Sequence, residues 1–315
     1  MSLALLFSPQ GSQVVGMGRE LAAHSAAARA VFSDADATLG WSISATCWEG
    51  PVERLNDTRQ TQPCLLTTSV AALRALEERL PTRASVVAGH SVGEYAALVA
   101  AGVLDLPAAL RLVSRRAELM AAADGEGGMS AVIGLDRASV EAVVESVARP
   151  TELVVANDNA PGQVVISGRN EALDGIEEPM RAAGARRVVR LPVSGAFHSP
   201  LMATVAEGLA EAFEAETWSE ARVPIMSNVT AEPLTDPERI RPLLAEQVRS
   251  PVEWVGCVER MAADGVDTMI ECGAGSALVG MVRRIAPAVR TATVSDFATL
   301  AGTADLLAAP AGASA

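Results

Sequence analysis

Gly89-His90-Ser91-Val92-Gly93 stands between a short apolar run, Val86 to Ala88, and an alanine-rich stretch that begins at Glu94. Glycine lies two residues before and two residues after the serine. Where a strand turns sharply into a helix, side chains at those two positions would collide, so glycine is needed there. The hydroxyl is then left exposed above the sheet, at a helix N-terminus whose dipole and free N–H groups suit an oxyanion. That is the chemistry of acyl transfer through a serine ester. The alternative is a plain turn in which the glycines serve only the backbone; the strand–turn–helix context favours the nucleophile.

A serine hydroxyl needs a base, and the chain has three histidines. His24 lies in ELAAHSAAARAVF, a surface type of helix, and reads as a solvated residue. His90 adjoins Ser91, so its side chain should point elsewhere and pack beneath the turn. His198, in VSGAFHSPLM, lies in a loop ahead of a helix. It remains as the candidate base and follows the serine in the hydrolase chain order. No carboxylate stands at a telling position to orient it, which leaves either an acid not evident from the sequence or a backbone carbonyl.

Arg116 is the second pointer. In PAALRLVSRRAELMAAA the apolar stripe runs through Leu112, Val113, Ala117, Leu119 and Met120, and Arg116 flanks it. Arg111, Arg115 and Glu118 share the wet face. A half-buried arginine needs an anionic partner: a structural carboxylate or an acidic substrate.

The elements that must hold these groups alternate. Leu3 to Phe7 and Val86 to Ala88 read as buried strands, residues 18–34 and 65–79 as helices, and Asp105-Leu106-Pro107 as the capped start of another. This is α/β patterning with a parallel sheet. The middle differs. Strand 129–135, helix 136–148, strands 151–158 and 162–168 around Asn159-Ala160-Pro161, helix 170–185 containing Pro179, and strand 186–193 give the order βαββαβ of a ferredoxin-like module. Gly125-Glu126-Gly127-Gly128 precedes it as a hinge. The α/β pattern then resumes with strand 223–229, helix 237–249, strand 266–271, Gly273-Ala274-Gly275 and a helix. The expected organisation is a large α/β domain over 1–127 and 194–300, an inserted subdomain over 128–193, and a flexible tail over 301–315.

Composition narrows the function. The 315 residues carry a formal net charge of −13, which argues against a nucleic-acid binder. All 25 basic residues are arginine. That excludes a lysine Schiff base, a pyridoxal phosphate anchor and a P-loop lysine, and leaves anions to arginine, backbone N–H groups or helix N-termini. Cys47, Cys64, Cys257 and Cys272 fit no zinc or CxxC spacing, so free thiols in a reducing compartment are expected. The N-terminus reads as a buried strand, and no run is long enough to span a membrane. A soluble, cytosolic protein is expected.

The motifs FSPQGSQVVGMG, RQTQPCLLTTSVAALRAL, GHSVGEYAALVAAGVLDL, RLVSRRAELM, SGAFHSPLM and QVRSPVEW, in order over roughly residues 3 to 290, resemble malonyl-CoA:acyl-carrier-protein transacylases and the acyltransferase domains of polyketide synthases. The resemblance implies a hydrolase-like α/β domain with an inserted ferredoxin-like subdomain. It implies that Ser91 attacks a malonyl thioester, that His198 acts as base and then acid, and that the N–H groups of Gln10 and Val92 form the oxyanion hole. Arg116 would hold the free malonyl carboxylate in a two-pronged pair, which fits a guanidinium fork and disfavours acetyl. Gln247 would orient His198 through its main-chain carbonyl. Gln62, Met120 and Phe197 would bind substrate, the Phe197 ring leaving little room for an α-methyl group. The implied partners are malonyl-CoA, as substrate, and an acyl carrier protein; no cofactor, metal, nucleic acid or membrane is expected. Rival readings are a polyketide acyltransferase acting in trans, a thioester hydrolase and a non-catalytic synthase subunit.

Two departures from the family stand out. Pro9 replaces a glycine in the first loop and removes an N–H. ECGAGSAL stands where a lysine-containing stretch is common, which bears on contact with carrier protein or CoA. Since carrier proteins are acidic like this chain, attraction must be local; Arg186, Arg187, Arg190 and Arg283-Arg284 are candidates, with solvated charges as the alternative.

Overall fold

The computed structural model describes residues 2–308 apart from 124, 126 and 194. The strands are β1 (Leu3–Phe7), β2 (Val86–Gly89), β3 (Gly127–Ile133), β4 (Leu153–Ala160), β5 (Gln163–Arg169), β6 (Arg187–Arg190), β7 (Ile225–Met226), β8 (Pro233–Leu234), β9 (Thr268–Cys272) and β10 (Arg290–Val294). They form two sheets. The larger has the order β10-β9-β1-β2-β7-β8, parallel throughout except at β8. Its central strands LALLF, VVAG and TMIEC are buried at every position, which is why they read as continuous apolar runs with no alternation: helices cover both faces. The chain is thus mixed α/β, built on a parallel sheet.

The smaller sheet is antiparallel, with the order β4-β5-β3-β6. Its helices Arg137–Val147, Asn170–Gly175 and Glu177–Ala182 share a separate core with Val132, Val155, Val164 and Ile166. The sheet joins the larger unit through a parallel bridge between Asn157 and Val252, with Val252 N–H donating to the Ala156 carbonyl at 2.8 Å.

Several boundaries differ from expectation for local reasons. The helix expected over 18–34 is two, Arg19–His24 and Ala26–Leu39, because Ser25 is extended and accepts the Ala28 N–H at 3.0 Å. The helix expected from 65 begins at Thr58, capped by Asp57. The helix expected over 170–185 breaks at Ile176, and Pro179 then sits in the first turn of the second piece, where its missing N–H is harmless. The β4–β5 turn is Pro161-Gly162, the glycine at φ +70°. The strand expected over 223–229 has only two residues, because Ser227 and Asn228 leave the sheet to make other bonds. The glycine hinge falls partly outside the described residues, and Gly127 and Gly128 already belong to β3. The expected tail is helical as far as Ala308, in helix Phe297–Ala308; residues 309–315 lie outside the described residues. Among the described residues no helix is long and apolar enough to cross a membrane.

Candidate active site

The turn between β2 and helix Gly93–Ala101 places Ser91 at φ +53°, in the left-handed region. Its two glycines are required sterically. A Cβ on Gly89 would lie 1.9 Å from the Gly93 carbonyl carbon, and one on Gly93 would lie 2.2 Å from the Phe7 carbonyl oxygen. Strand, turn and helix pass too close for anything larger. Asn228 staples the turn from the side: its Nδ2 donates to the Gly89 carbonyl and its Oδ1 accepts the Ser91 N–H, both at 2.7 Å.

His198 Nε2 lies 2.8 Å from Ser91 Oγ, and His198 Nδ1 lies 2.8 Å from the Gln247 carbonyl. A carbonyl only accepts, so Nδ1 carries the proton and Nε2 presents its lone pair to the serine hydroxyl. The orienting group is a backbone carbonyl. His198 is itself at φ +58°, with its N–H bonded to the Val248 carbonyl at 2.8 Å. Burial pushes its pKa down to about 3, and the nearby Arg116 charge adds to the effect, so the resting imidazole is neutral.

Helix Leu106–Ala122, capped by Asp105 through the Ala108 N–H at 2.7 Å, carries Arg116 inward. Arg116 is 1 % exposed. Its guanidinium donates to Gln62 Oε1 at 2.7 Å, to Ser91 Oγ at 3.0 Å and to Gln247 Oε1 at 3.2 Å. It also lies over the Tyr95 ring, 5.9 Å from the centroid. Among the described residues its Nε has no hydrogen-bond partner. Among the described residues no carboxylate forms a salt bridge with it, so the structural partner allowed by the sequence is not found there. Burial depresses its pKa.

Gln62 links further expected residues: its Nε2 donates to Met120 Sδ and to Gln10 Oε1, both at 3.4 Å. Gln10 sits on the loop after β1. The hydrogen bonds of the described residues engage the N–H groups of His90, Ser91, Gly93, Glu94 and Tyr95, and Val92 is the gap in that series. Gly11 N–H is taken by Gln13, and Gln10 N–H is likewise left out. Phe197 is buried beside His198 in the main core, without a hydrogen-bonded link to this network. The structure takes His24 elsewhere, to the surface, stacked on Phe297. His90 lies beneath the turn as expected, with Nε2 2.8 Å from Asn159 Oδ1 on β4, and burial lowers its pKa to about 4.

Three groups escaped the sequence reading. Asn228 comes from a distant segment with no motif around it. Glu271, buried on β9, accepts from Ser8 Oγ at 3.0 Å and from Val279 N–H at 3.0 Å, and so anchors the Gln10 loop despite Pro9. Glu94, buried in the first turn after Ser91, accepts from Gln247 Nε2 at 2.6 Å. Its signal was available: a carboxylate inside an otherwise apolar helix.

The arrangement is a serine polarised by a neutral imidazole, with a buried cation in contact with the same oxygen. A family model described as an acyl transferase domain matches residues 4–304. The chain belongs to the acyl transferase family. It is 42% identical over 299 residues to the malonyl CoA-acyl carrier protein transacylase of Salmonella typhimurium, covering 94% of this chain and 97% of that one. Among solved structures, an acyl carrier protein S-malonyltransferase from Vibrio cholerae superposes with a TM-score of 0.93 at 39% identity, covering 96% of this chain and all of that one (100%). A malonyl-transacylase in complex with a type II PKS acyl carrier protein gives a TM-score of 0.94 at 38% identity, with 97% and 100% coverage.

Proposed function

We propose that this acyltransferase moves a malonyl group from CoA to the phosphopantetheine thiol of an acyl carrier protein by a ping-pong route through Ser91. The observation that carries the reading is the buried Arg116 charge, in contact with the nucleophile and, among the described residues, paired only with neutral groups. A buried guanidinium of this kind is matched by a ligand carboxylate, and malonyl presents one while its thioester reacts.

The steps follow from the geometry. Ser91 Oγ bonds to the thioester carbon as its proton passes to His198 Nε2. The carbonyl oxygen becomes an oxyanion facing the Val92 and Gln10 N–H groups. Collapse breaks the carbon–sulfur bond, and the CoA thiolate takes the proton from Nε2. The carrier thiol then gives its proton to Nε2 and attacks the ester, and Ser91 leaves with that proton. The Gln247 carbonyl stabilises the imidazolium in between. Pairing Arg116 with a carboxylate also removes part of the charge that lowers His198, so a diacid acyl group strengthens the base that acts on it. Water must be excluded between the half-reactions. Gln62 and Met120 line the carboxylate end, and Phe197 limits room for an α-methyl group.

In this reading residues 128–193 are an inserted ferredoxin-like subdomain; the strand order β4-β5-β3-β6 and the βαββαβ chain order support it. No cofactor takes part in these steps, and the cytoplasm is the expected compartment. Carrier docking falls to exposed arginines not already engaged. Arg190 is bonded to Asn170 and lies 3.8 Å from Asp174, Arg284 is bonded to Gln163 and Pro161, and Arg283 is bonded to Thr291. Arg186 and Arg187 are the stronger candidates.

The test is intact-mass and peptide mapping after brief exposure to malonyl-CoA, acetyl-CoA or methylmalonyl-CoA, followed by addition of a carrier protein. A malonyl ester on Ser91 that transfers to carrier faster than to water is expected. An acyl group on another residue, or equal acylation by acetyl-CoA, would overturn the reading.

A further inference from the structure

Gln247 touches the base, the buried cation and the backbone of the nucleophile. Its main-chain oxygen holds His198 Nδ1 at 2.8 Å, its Oε1 accepts from Arg116 at 3.2 Å, and its Nε2 donates to the Ser91 carbonyl at 3.1 Å. A side-chain amide has two orientations that fill the same space, so something must choose between them. Flipping this one would turn its NH2 toward the guanidinium, donor against donor. The same flip would turn its oxygen toward Glu94 Oε2, which now accepts from Nε2 at 2.6 Å. The acceptor on Glu94 and the donors on Arg116 select the same orientation from opposite sides.

Glu94 also reaches the other half of the site. Its Oε2 accepts the Asn228 N–H at 3.4 Å, and Asn228 is the residue that staples Gly89 and Ser91 across the turn. One buried carboxylate group, 4 % exposed, is therefore bonded both to the residue that orients the base and to the residue that shapes the nucleophile's backbone.

We propose that Glu94 is a positioning residue: acting through Gln247 and Asn228, it keeps the imidazole, the guanidinium and the serine in one register. The proposal rests on Ser91, His198 and Arg116 acting as described above, and adds the residue that aligns them. Burial raises the Glu94 pKa to about 7, and a protonated carboxyl retains an oxygen that accepts, so the role needs an acceptor rather than a charge.

Three variants test this. Glu94→Gln keeps an acceptor oxygen. Glu94→Leu, of similar volume, and Glu94→Ala remove it. Each is measured per folded molecule, with melting temperature recorded, for kcat and KM with malonyl-CoA, for the malonyl-to-acetyl ratio, and for the rate at which phenylmethylsulfonyl fluoride labels Ser91. The last readout needs the serine–histidine pair and no diacid. Loss of alignment predicts that kcat and labelling fall about 10- to 100-fold in Glu94→Leu and Glu94→Ala, with KM changed far less. The malonyl-to-acetyl ratio should shrink, because Arg116 loses its fixed acceptor. Glu94→Gln should recover to within a few-fold of the wild type. Wild-type kcat, labelling and ratio in Glu94→Leu would overturn the proposal, and so would a Glu94→Gln variant as slow as Glu94→Leu. If the wild-type protein is labelled but takes no malonyl, the proposed substrate fails, and the labelling series still decides the role of Glu94.

Discussion

Two arginines show how differently this chain treats a charge it removes from water. Arg137, on the helix that packs against β4, bonds to Glu141 at 2.7 Å and to Glu253, and lies 4.0 Å from Asp158. Burial works against its charge, but the hydrogen bonds it donates to Glu253 and Glu141 outweigh that and hold its pKa above the ordinary value. It fastens the antiparallel sheet to the rest of the molecule, and three carboxylates surround its charge. Arg116 is more deeply buried and, among the described residues, bonds only to two glutamines and a serine, so burial prevails and its pKa falls. Neutral acceptors fix where a guanidinium points without cancelling its charge. In the proposed reading the difference separates an arginine that completes the fold from one held ready for an anion.

The sharpest way to break this contrast is at the atom Arg116 touches. Ser91→Ala should abolish acyl-enzyme, and His198→Ala should lower turnover by about 1,000-fold or more. The double variant should be no worse than the weaker single, as steady-state kinetics with malonyl-CoA would show. Next, Arg116→Ala should lower kcat/KM for malonyl-CoA by about 100-fold or more, with acetyl-CoA unchanged or improved. Arg116→Lys should restore only part of the loss, since an ammonium cannot reproduce the fork. A variant that kept its malonyl preference would show that this charge was not reserved for substrate.

Acidity sharpens the contrast further. His90 and His198 titrate at about 4 and about 3 in the fold, below the 6.5 of a free imidazole. The unfolded chain therefore binds more protons in that window, and stability should fall as pH drops from 6.5 toward 4. His90→Gln should flatten that slope. Glu94 runs the other way: its pKa is raised from 4.5 to about 7, so its contribution is full below 4.5 and lost as pH rises through 7. Glu94→Gln should gain on the wild type between pH 5 and pH 8, by up to about 3 kcal/mol in urea unfolding. The smallest effect belongs to the seam. Arg137→Ala should cost about 1–2 kcal/mol of stability and leave the malonyl-to-acetyl ratio unchanged.

Much of the site can be read from the chain because its parts are local. The glycines around Ser91 announce a turn that nothing larger fits, Asp105 marks a helix start, and His198 emerges by elimination among three imidazoles. The parts that escape depend on distance. Gln247 acts through a carbonyl every residue possesses, so its role came only with the family resemblance. Asn228 and Glu271 reach the site from strand ends whose neighbours are set by sheet order. The expected strand over 223–229 keeps only Ile225–Met226 in the sheet, while the helix Trp254–Ala263 and the strand Arg290–Val294 are not among the expected elements and are fixed by packing.

Among the described residues three non-glycine positions have positive φ, and two of them are Ser91 and His198. Each such backbone costs about 1–2 kcal/mol relative to an unstrained one. Glycine would relax both positions at once and, in the proposed reading, silence the protein. A library of this gene screened for heat resistance alone, with no demand for turnover, would discard these two side chains among the first.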